Sequence, residues 1–219
     1  DYLTGQTYSG SVSYSYEFSK RNISGGCQLS LSSARRVLGG DWSFDKLSLE
    51  SVQQLKATKS LKLRLRAFLG GVFGETPPQE EFFLSGGVRP TGLSTLFISR
   101  KGTWSPQEKW HIEGDGNLRG YFGRHIHDKV LASLNVELPV GRIPKTKAQS
   151  LLFYDIGNCW NNLDSVDLPV LSDFGLSFSL GPVNLAFPLW ISHPREDERK
   201  FAFRWIVGLR ESFGSALGG

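Results

Sequence analysis

Residues 129–140, KVLASLNVELPV, alternate without a break. Val130, Ala132, Leu134, Val136, Leu138 and Val140 fall on one side. Lys129, Leu131, Ser133, Asn135, Glu137 and Pro139 fall on the other. Successive side chains of a β-strand point to opposite faces, so the segment reads as a strand with one wholly apolar and one mostly polar face. The same period-two pattern recurs at 200–210, with Phe201, Phe203, Trp205, Val207 and Leu209 facing one way. At 8–18, Tyr8, Gly10, Val12, Tyr14, Tyr16 and Phe18 alternate with four serines and Glu17, and at 61–69 leucines and Ala67 alternate with Lys62, Arg64, Arg66 and Phe68. Further strands are expected at 26–37, 42–56, 149–160, 173–180 and 183–191, which makes nine in a plain antiparallel meander. Only 46–57 contends as a helix.

The connections are unequal. Short turns are expected at KRNISG (20–25), ATKS (57–60), GRIPKTK (141–147) and GP (181–182). The other side carries 162–172, 192–199 and the segment 75–126, with only LGGD (38–41) short there. Long loops at one end and tight turns at the other are the habit of outer-membrane barrels. Periodicity alone leaves three architectures open. A soluble β-sandwich alternates too, but its strands run about 5–6 residues, whereas several here keep strict alternation over ten or more. A soluble closed barrel turns its apolar side inwards. A transmembrane barrel turns it to lipid and keeps Ser, Lys, Arg and Glu for the lumen. A closed antiparallel barrel needs an even number of strands, so nine means either a count off by one or an incomplete barrel whose missing strands lie in another segment or chain.

Composition narrows the function classes. Of 219 residues, 25 are glycine and 15 phenylalanine, with 6 tryptophans and 6 tyrosines, which leans to strands and turns. The chain has no methionine, even at position 1, which suggests a processed chain or a piece of a longer one. A net charge of +4 with no basic tract and interleaved aromatics argues against nucleic acid. No run reaches the roughly 18 apolar residues of a spanning helix, which leaves a β-barrel untouched. Cys27 and Cys159 form no disulfide framework and lack metal-ligand spacing; they read as two isolated half-buried thiols. His125 and His127 have no third ligand, LSGG lacks the nucleophile-elbow form, and no paired carboxylates stand out. No catalytic, metal or cofactor site is expected.

Three stretches then follow one another in order. The first is LRGY (118–121), after FFLSGG (82–87). The second is FYDIG (153–157). The third is GPVNLAFPL (181–189), a Gly-Pro turn opening a strand that ends Pro-Leu. Together, from about residue 60 to 213, they resemble the C-terminal barrel of the BamA/TamA outer-membrane superfamily, which includes the two-partner-secretion transporters and mitochondrial Sam proteins. The resemblance implies the last nine strands of a sixteen-strand all-β barrel. The N-terminal strands and periplasmic POTRA domains would lie outside this chain, and the loop 75–126 would fold back into the lumen. It implies a loop tip of Leu118, Arg119, Gly120 and Tyr121, with Arg119 paired to Asp155 of the motif Phe153, Asp155, Gly157. Strand periodicity agrees, because Phe153, Asp155 and Gly157 share the face opposite Leu152, Tyr154 and Ile156. A carboxylate on that face calls for a partner, and a guanidinium binds it bidentately. Gly120 allows close approach, Tyr121 suits packing against the wall, and Glu137 on the adjacent strand is a second acceptor.

Departures from the family pattern accompany the match. Residues 88–113 intervene as an insertion before the arginine tip, suited to plugging the lumen or reaching outside to a partner. Asn184 and Ala186 replace an expected Arg and acid. In the last-strand signal Gly208 and Phe213 fit, but Glu211 stands at an aromatic position and GSALGG follows. The implied function is insertion or translocation of polypeptides in a Gram-negative outer membrane through a lateral seam, half of it formed by 200–213. The alternative is a barrel serving as anchor or port for a fused or bound domain; a soluble β-sandwich binding module is the remote one. Expected partners are outer-membrane lipid, the missing strands and periplasmic domains, and client or accessory outer-membrane proteins.

Overall fold

A computed structural model describes residues 5–56, 58, 61–85, 97–101, 109–111, 115–121, 124, 126–143, 148–161, 169–180 and 183–209, with backbone alone for 97–101, 109–111 and 208–209. The long alternating segments all become strands: β1 (Ser9–Lys20), β2 (Ile23–Ala34), β3 (Ser43–Lys56) and β4 (Lys62–Glu75). Within the segment that follows lie β5 (Phe82–Ser85), β6 (Phe97–Lys101), β7 (Lys109–His111) and β8 (Ile126–Asp128). After it come β9 (Val130–Arg142), β10 (Gln149–Trp160), β11 (Leu171–Leu180), β12 (Val183–Ile191) and β13 (Arg204–Leu209).

One open antiparallel sheet runs β1-β2-β3-β4-β9-β10-β11-β12-β13-β6-β7, and β5 pairs with β8 in a separate ribbon. No second sheet of sandwich size faces the first among the described residues, so the β-sandwich reading is set aside. The strand expected at 42–56 is β3, so the described part of the stretch 46–57 that contended as a helix is extended chain paired with both neighbours. Three boundaries differ from expectation. The first hairpin turns on Arg21–Asn22, so β2 starts at Ile23 and stops at Ala34, ahead of a 3-10 turn at Arg36–Leu38. β4 extends past residue 69 to Glu75. The last strand begins only at Arg204, because residues 200–203 make a single bridge, Trp190 to Phe201, and Arg204 Nη2 donates to the Arg199 carbonyl (2.8 Å), curling the approach.

The two faces of the sheet have opposite chemistry. On the convex side, cross-strand neighbours Tyr14, Leu29, Leu49 and Leu69 form a row, all of them exposed. A second row runs Leu65, Val136, Tyr154, Phe174 and Trp190, with the last two rings stacked at 5.6 Å. A soluble protein rarely leaves an apolar surface this continuous in water; a bilayer is the solvent that suits it. Strands β1 to β4 and β9 to β12 have 9 to 14 residues each, near the span of about 9–11 that a tilted strand needs to cross hydrocarbon. The concave face has a buried apolar cluster under the long loop, where Phe82, Leu84, Leu118 and Tyr121 pack on Phe44, Phe68, Val72, Leu131 and Ile191. The loop therefore supplies the core for this side of the sheet.

Candidate functional site: an arginine clamp on the concave face

Alternation puts Phe153, Asp155 and Gly157 of β10 inward, and Asn135 and Glu137 of β9 beside them: Phe153 pairs with Glu137, Asp155 with Asn135. The loop tip Arg119–Tyr121 is a 3-10 turn with all three residues buried. Asn117, with φ of 51°, turns the chain into it, a backbone region that asparagine tolerates better than most residues.

Arg119 meets Asp155 in a bidentate fork, Nε to Oδ2 and Nη2 to Oδ1, both 2.8 Å. Its third arm, Nη1, reaches Glu137 Oε1 at 2.9 Å, and its guanidinium carbon lies 3.8 Å from the centroid of the Phe153 ring. Such planar pairing is specific to guanidinium. Asp155 is fully buried. Burial disfavours the charge on Arg119, but the Asp155 carboxylate more than reverses this and holds the guanidinium above its ordinary pKa. Arg119 remains a cation wherever the protein is folded.

Gly120 and Tyr121 do what their sizes allow. A Cβ on Gly120 would sit 2.5 Å from Asp173 Cβ and 2.7 Å from Ile191 Cγ2, so only glycine lets the tip touch the wall. Gly157 is closed in likewise, with the Ala132 carbonyl oxygen 2.7 Å from where its Cβ would stand. Tyr121, fully buried, donates to the Ser172 carbonyl (3.2 Å), shares a hydrogen bond with Ser192 Oγ (2.9 Å) and accepts from the His193 N–H (3.2 Å). Leu118 is buried in the loop core. Beyond the tip, Arg124 pairs with Glu198 and donates to the His193 carbonyl.

Three contributors were not singled out from the sequence. Asn135 donates to Asp155 Oδ1 (3.1 Å) and to the Asn117 carbonyl (3.0 Å). Arg66 of β4 donates to Asn135 Oδ1 (3.0 Å) and to the Asp115 carbonyl (2.8 Å). Asp173 of β11 stands directly across from Asp155. The sequence carries a sign of this last one, since Asp173-Phe174-Gly175 repeats the Asp-x-Gly spacing of Asp155-Ile156-Gly157 one strand later. Asp173 is fully buried, and neither oxygen meets a donor in regular hydrogen-bond geometry, although the Gly120 N–H lies alongside. Asp173→Asn keeps the shape and sets an amide N–H donor beside the Asp155 carboxylate. We expect it to stabilise the fold by about 1–3 kcal/mol, the scale of an unmet buried polar group, read as a higher urea midpoint in micelles.

Other residues of interest fall elsewhere. Gly208 lies in β13, opposite Asn184, with Ala186 opposite Ile206; Phe213 and Glu211 lie outside the described residues. His127 pairs with Glu81 (2.7 Å), and His125 lies outside the described residues. Cys27 and Cys159 are both free, the first half-buried 3.3 Å from Ser51 Oγ and the second buried. No group of three potential metal ligands gathers among the described residues.

The solved structures that share the fold of this chain include two that follow. BamA from Haemophilus ducreyi lacking POTRA domains 1–3 superposes with a TM-score of 0.53 at 14% identity, over 91% of this chain and 42% of that one. CdiB from Escherichia coli gives 0.54 at 17% identity, over 93% and 36%. The chain thus spans well under half the length of either. Comparison with curated proteins gives no match. The family model described as the Omp85 superfamily domain matches residues 2–210, nearly the whole chain. With an open antiparallel sheet that is apolar outside, a loop clamped inside, and that match across its length, the chain belongs to the Omp85 superfamily.

Proposed function

We propose that the chain forms the C-terminal part of a barrel in the outer membrane of a Gram-negative bacterium, and that this barrel inserts or translocates polypeptides. The route is a lateral seam with β13 on one side, where a client strand adds by β-augmentation. The observation that carries this reading is the competence of the β13 edge: beyond β12 it accepts a further antiparallel strand. The strands that complete the barrel, and any periplasmic domains, come from outside residues 1–219. The loop between β4 and β9 enters from the extracellular end, and Arg119 latches it so that the lumen keeps its shape while the seam opens.

A second reading has its own support. Because residues 97–101 already fill the β13 edge, the barrel also suits an anchor or port for another domain, with no client strand passing. Reconstitution separates the two. The complete protein in lipid vesicles is offered a urea-unfolded outer-membrane protein, and client folding is followed by its heat-modifiable gel mobility. Insertase function predicts folding several-fold faster than in protein-free vesicles. Equal rates would leave the anchor.

A further inference from the structure

The loop tip holds a second element besides the strand that carries Asp155. The Tyr121 N–H donates to the Leu118 carbonyl (3.3 Å) and the Arg124 N–H to the Tyr121 carbonyl (3.2 Å), which sets Arg124 one turn past Tyr121. Its guanidinium carbon lies 5.0 Å from the centroid of the Tyr121 ring. Both side chains meet the connection between β12 and β13. Tyr121 Oη is bonded to Ser192 Oγ and to the His193 N–H, while Arg124 donates to the His193 carbonyl (3.0 Å) and pairs with Glu198. The Arg124–Glu198 pair is shielded from water, its side chains 11% and 14% exposed. Glu198 also closes its own turn: its carboxylate accepts from the Arg195 N–H (3.3 Å), and its N–H donates to the Arg195 carbonyl (2.9 Å). One residue further on, the Arg199 carbonyl accepts from Arg204, the buried first residue of β13.

We propose that Arg124 and Glu198 are positioning residues that make the connection 192–199 a strap, carrying the position of the clamped loop tip to the start of β13. Three features carry the inference. The ladder between β12 and β13 is thin where the strap acts. Regular register runs only from Val183 opposite Leu209 to Ala186 opposite Ile206. The next pair is the bridge Trp190 to Phe201, so four steps along β12 meet five along the chain entering β13, and the register slips by one residue. Pro188, within that gap, has no N–H to give. Side-chain ties therefore decide where this stretch lies. Second, Arg124 grips the strap at two points, the His193 carbonyl near its start and the Glu198 carboxylate near its end. Two points fix the orientation of the strap as well as its distance. Third, the grip is an ion pair with little water around it, and breaking such a pair costs far more than breaking an exposed one. Its two ends belong to different parts of the fold, since Arg124 follows the tip that Arg119 fixes to β10, and Glu198 precedes β13.

This coupling holds whether the barrel inserts clients or anchors another domain. Amide hydrogen exchange of the complete protein in lipid vesicles tests it, read by mass on peptides covering 200–207, with peptides from β2 and β3 reporting global opening. Heat-modifiable mobility verifies folding of each variant. Arg124→Gln removes the cation and keeps a polar side chain. It is expected to speed exchange several-fold in 200–207 and to leave β2 and β3 unchanged, and Glu198→Gln is expected to do the same. Arg119→Lys loosens the tip from Asp155 without touching the strap. It is expected to speed exchange in 200–207 as well, and to add nothing there when combined with Arg124→Gln, because the strap is then already cut. Tyr121→Phe, which keeps the ring and removes the hydroxyl from Ser192 and His193, is the milder variant with the same expected direction. Unchanged exchange in 200–207 on Arg124→Gln, or an equal rise in β2 and β3, overturns the strap. Unchanged exchange there on both Arg119→Lys and Tyr121→Phe, or a fully additive rise in the double variant, overturns its coupling to the loop tip.

Discussion

Arg119→Ala is expected to destabilise the folded barrel by about 3–5 kcal/mol, because removing one partner of a buried ion pair leaves the other charged and unmet. The loss is concentrated. Asp155 loses both arms of its fork, Glu137 loses one of its donors, and Phe153 loses the cation on its ring. Asp155, Asp173 and Glu137 would then crowd one another, with Asn135 still bonded to Asp155 and Arg64 to Glu137 (3.3 Å). Urea unfolding in micelles or vesicles reads the stability, and trypsin cleavage at Arg124 reads release of the tip. Arg119→Lys should recover only part, since an ammonium cannot make the planar fork. Arg119→Ala/Asp155→Ala should cost less than the two single changes summed, the signature of a direct pair. A change below about 0.5 kcal/mol, the range of ordinary surface substitutions, would mean that Phe82, Leu84, Leu118 and Tyr121 hold the loop without the clamp.

Tyr154→Arg tests the other face. Tyr154 is 41% exposed, halfway along β10, between Val136 and Phe174. On the surface of a soluble protein the change would shift stability by no more than about 0.5 kcal/mol. At the hydrocarbon midplane of a barrel, arginine costs about 2–4 kcal/mol. Unfolding in lipid vesicles should therefore show a large loss for Tyr154→Arg and almost none for Val37→Arg, which stands 88% exposed in the 3-10 turn between β2 and β3. Equal, small effects at both positions would remove the lipid-facing assignment of the convex side.

The long strands were legible because period-two alternation over ten residues leaves a chain little choice. A β-strand separates Leu134 from Glu137, and no other regular backbone keeps Val130, Ala132, Leu134, Val136, Leu138 and Val140 on one side. Strand ends were less legible. Where β13 begins depends on a hydrogen bond from Arg204 to the Arg199 carbonyl, and that bond depends on the arrival of the preceding loop. The arginine tip and its carboxylate were legible as a pair of motifs, but not the network around them. Arg66, Asn135 and Asp173 come from three separate strands, and register alone brings their side chains to one spot. β6 was illegible for a different reason. FISRK has too few residues to declare a strand by pattern; its conformation comes from the unpaired backbone of β13 beside it.

By itself, the sequence determined that this chain is a run of long amphipathic strands, because side-chain alternation is a local property of the chain, and the motifs' resemblance to a barrel family implied the inward-turning arginine tip. The tertiary structure alone decided that Arg119 is shared between Asp155 and Glu137, that Asp173 is left facing Asp155, and that residues 97–101 pair with β13. Each of these depends on which strand lies beside which and in what register. Register is settled by the packing of a whole face at once, over distances no local pattern spans.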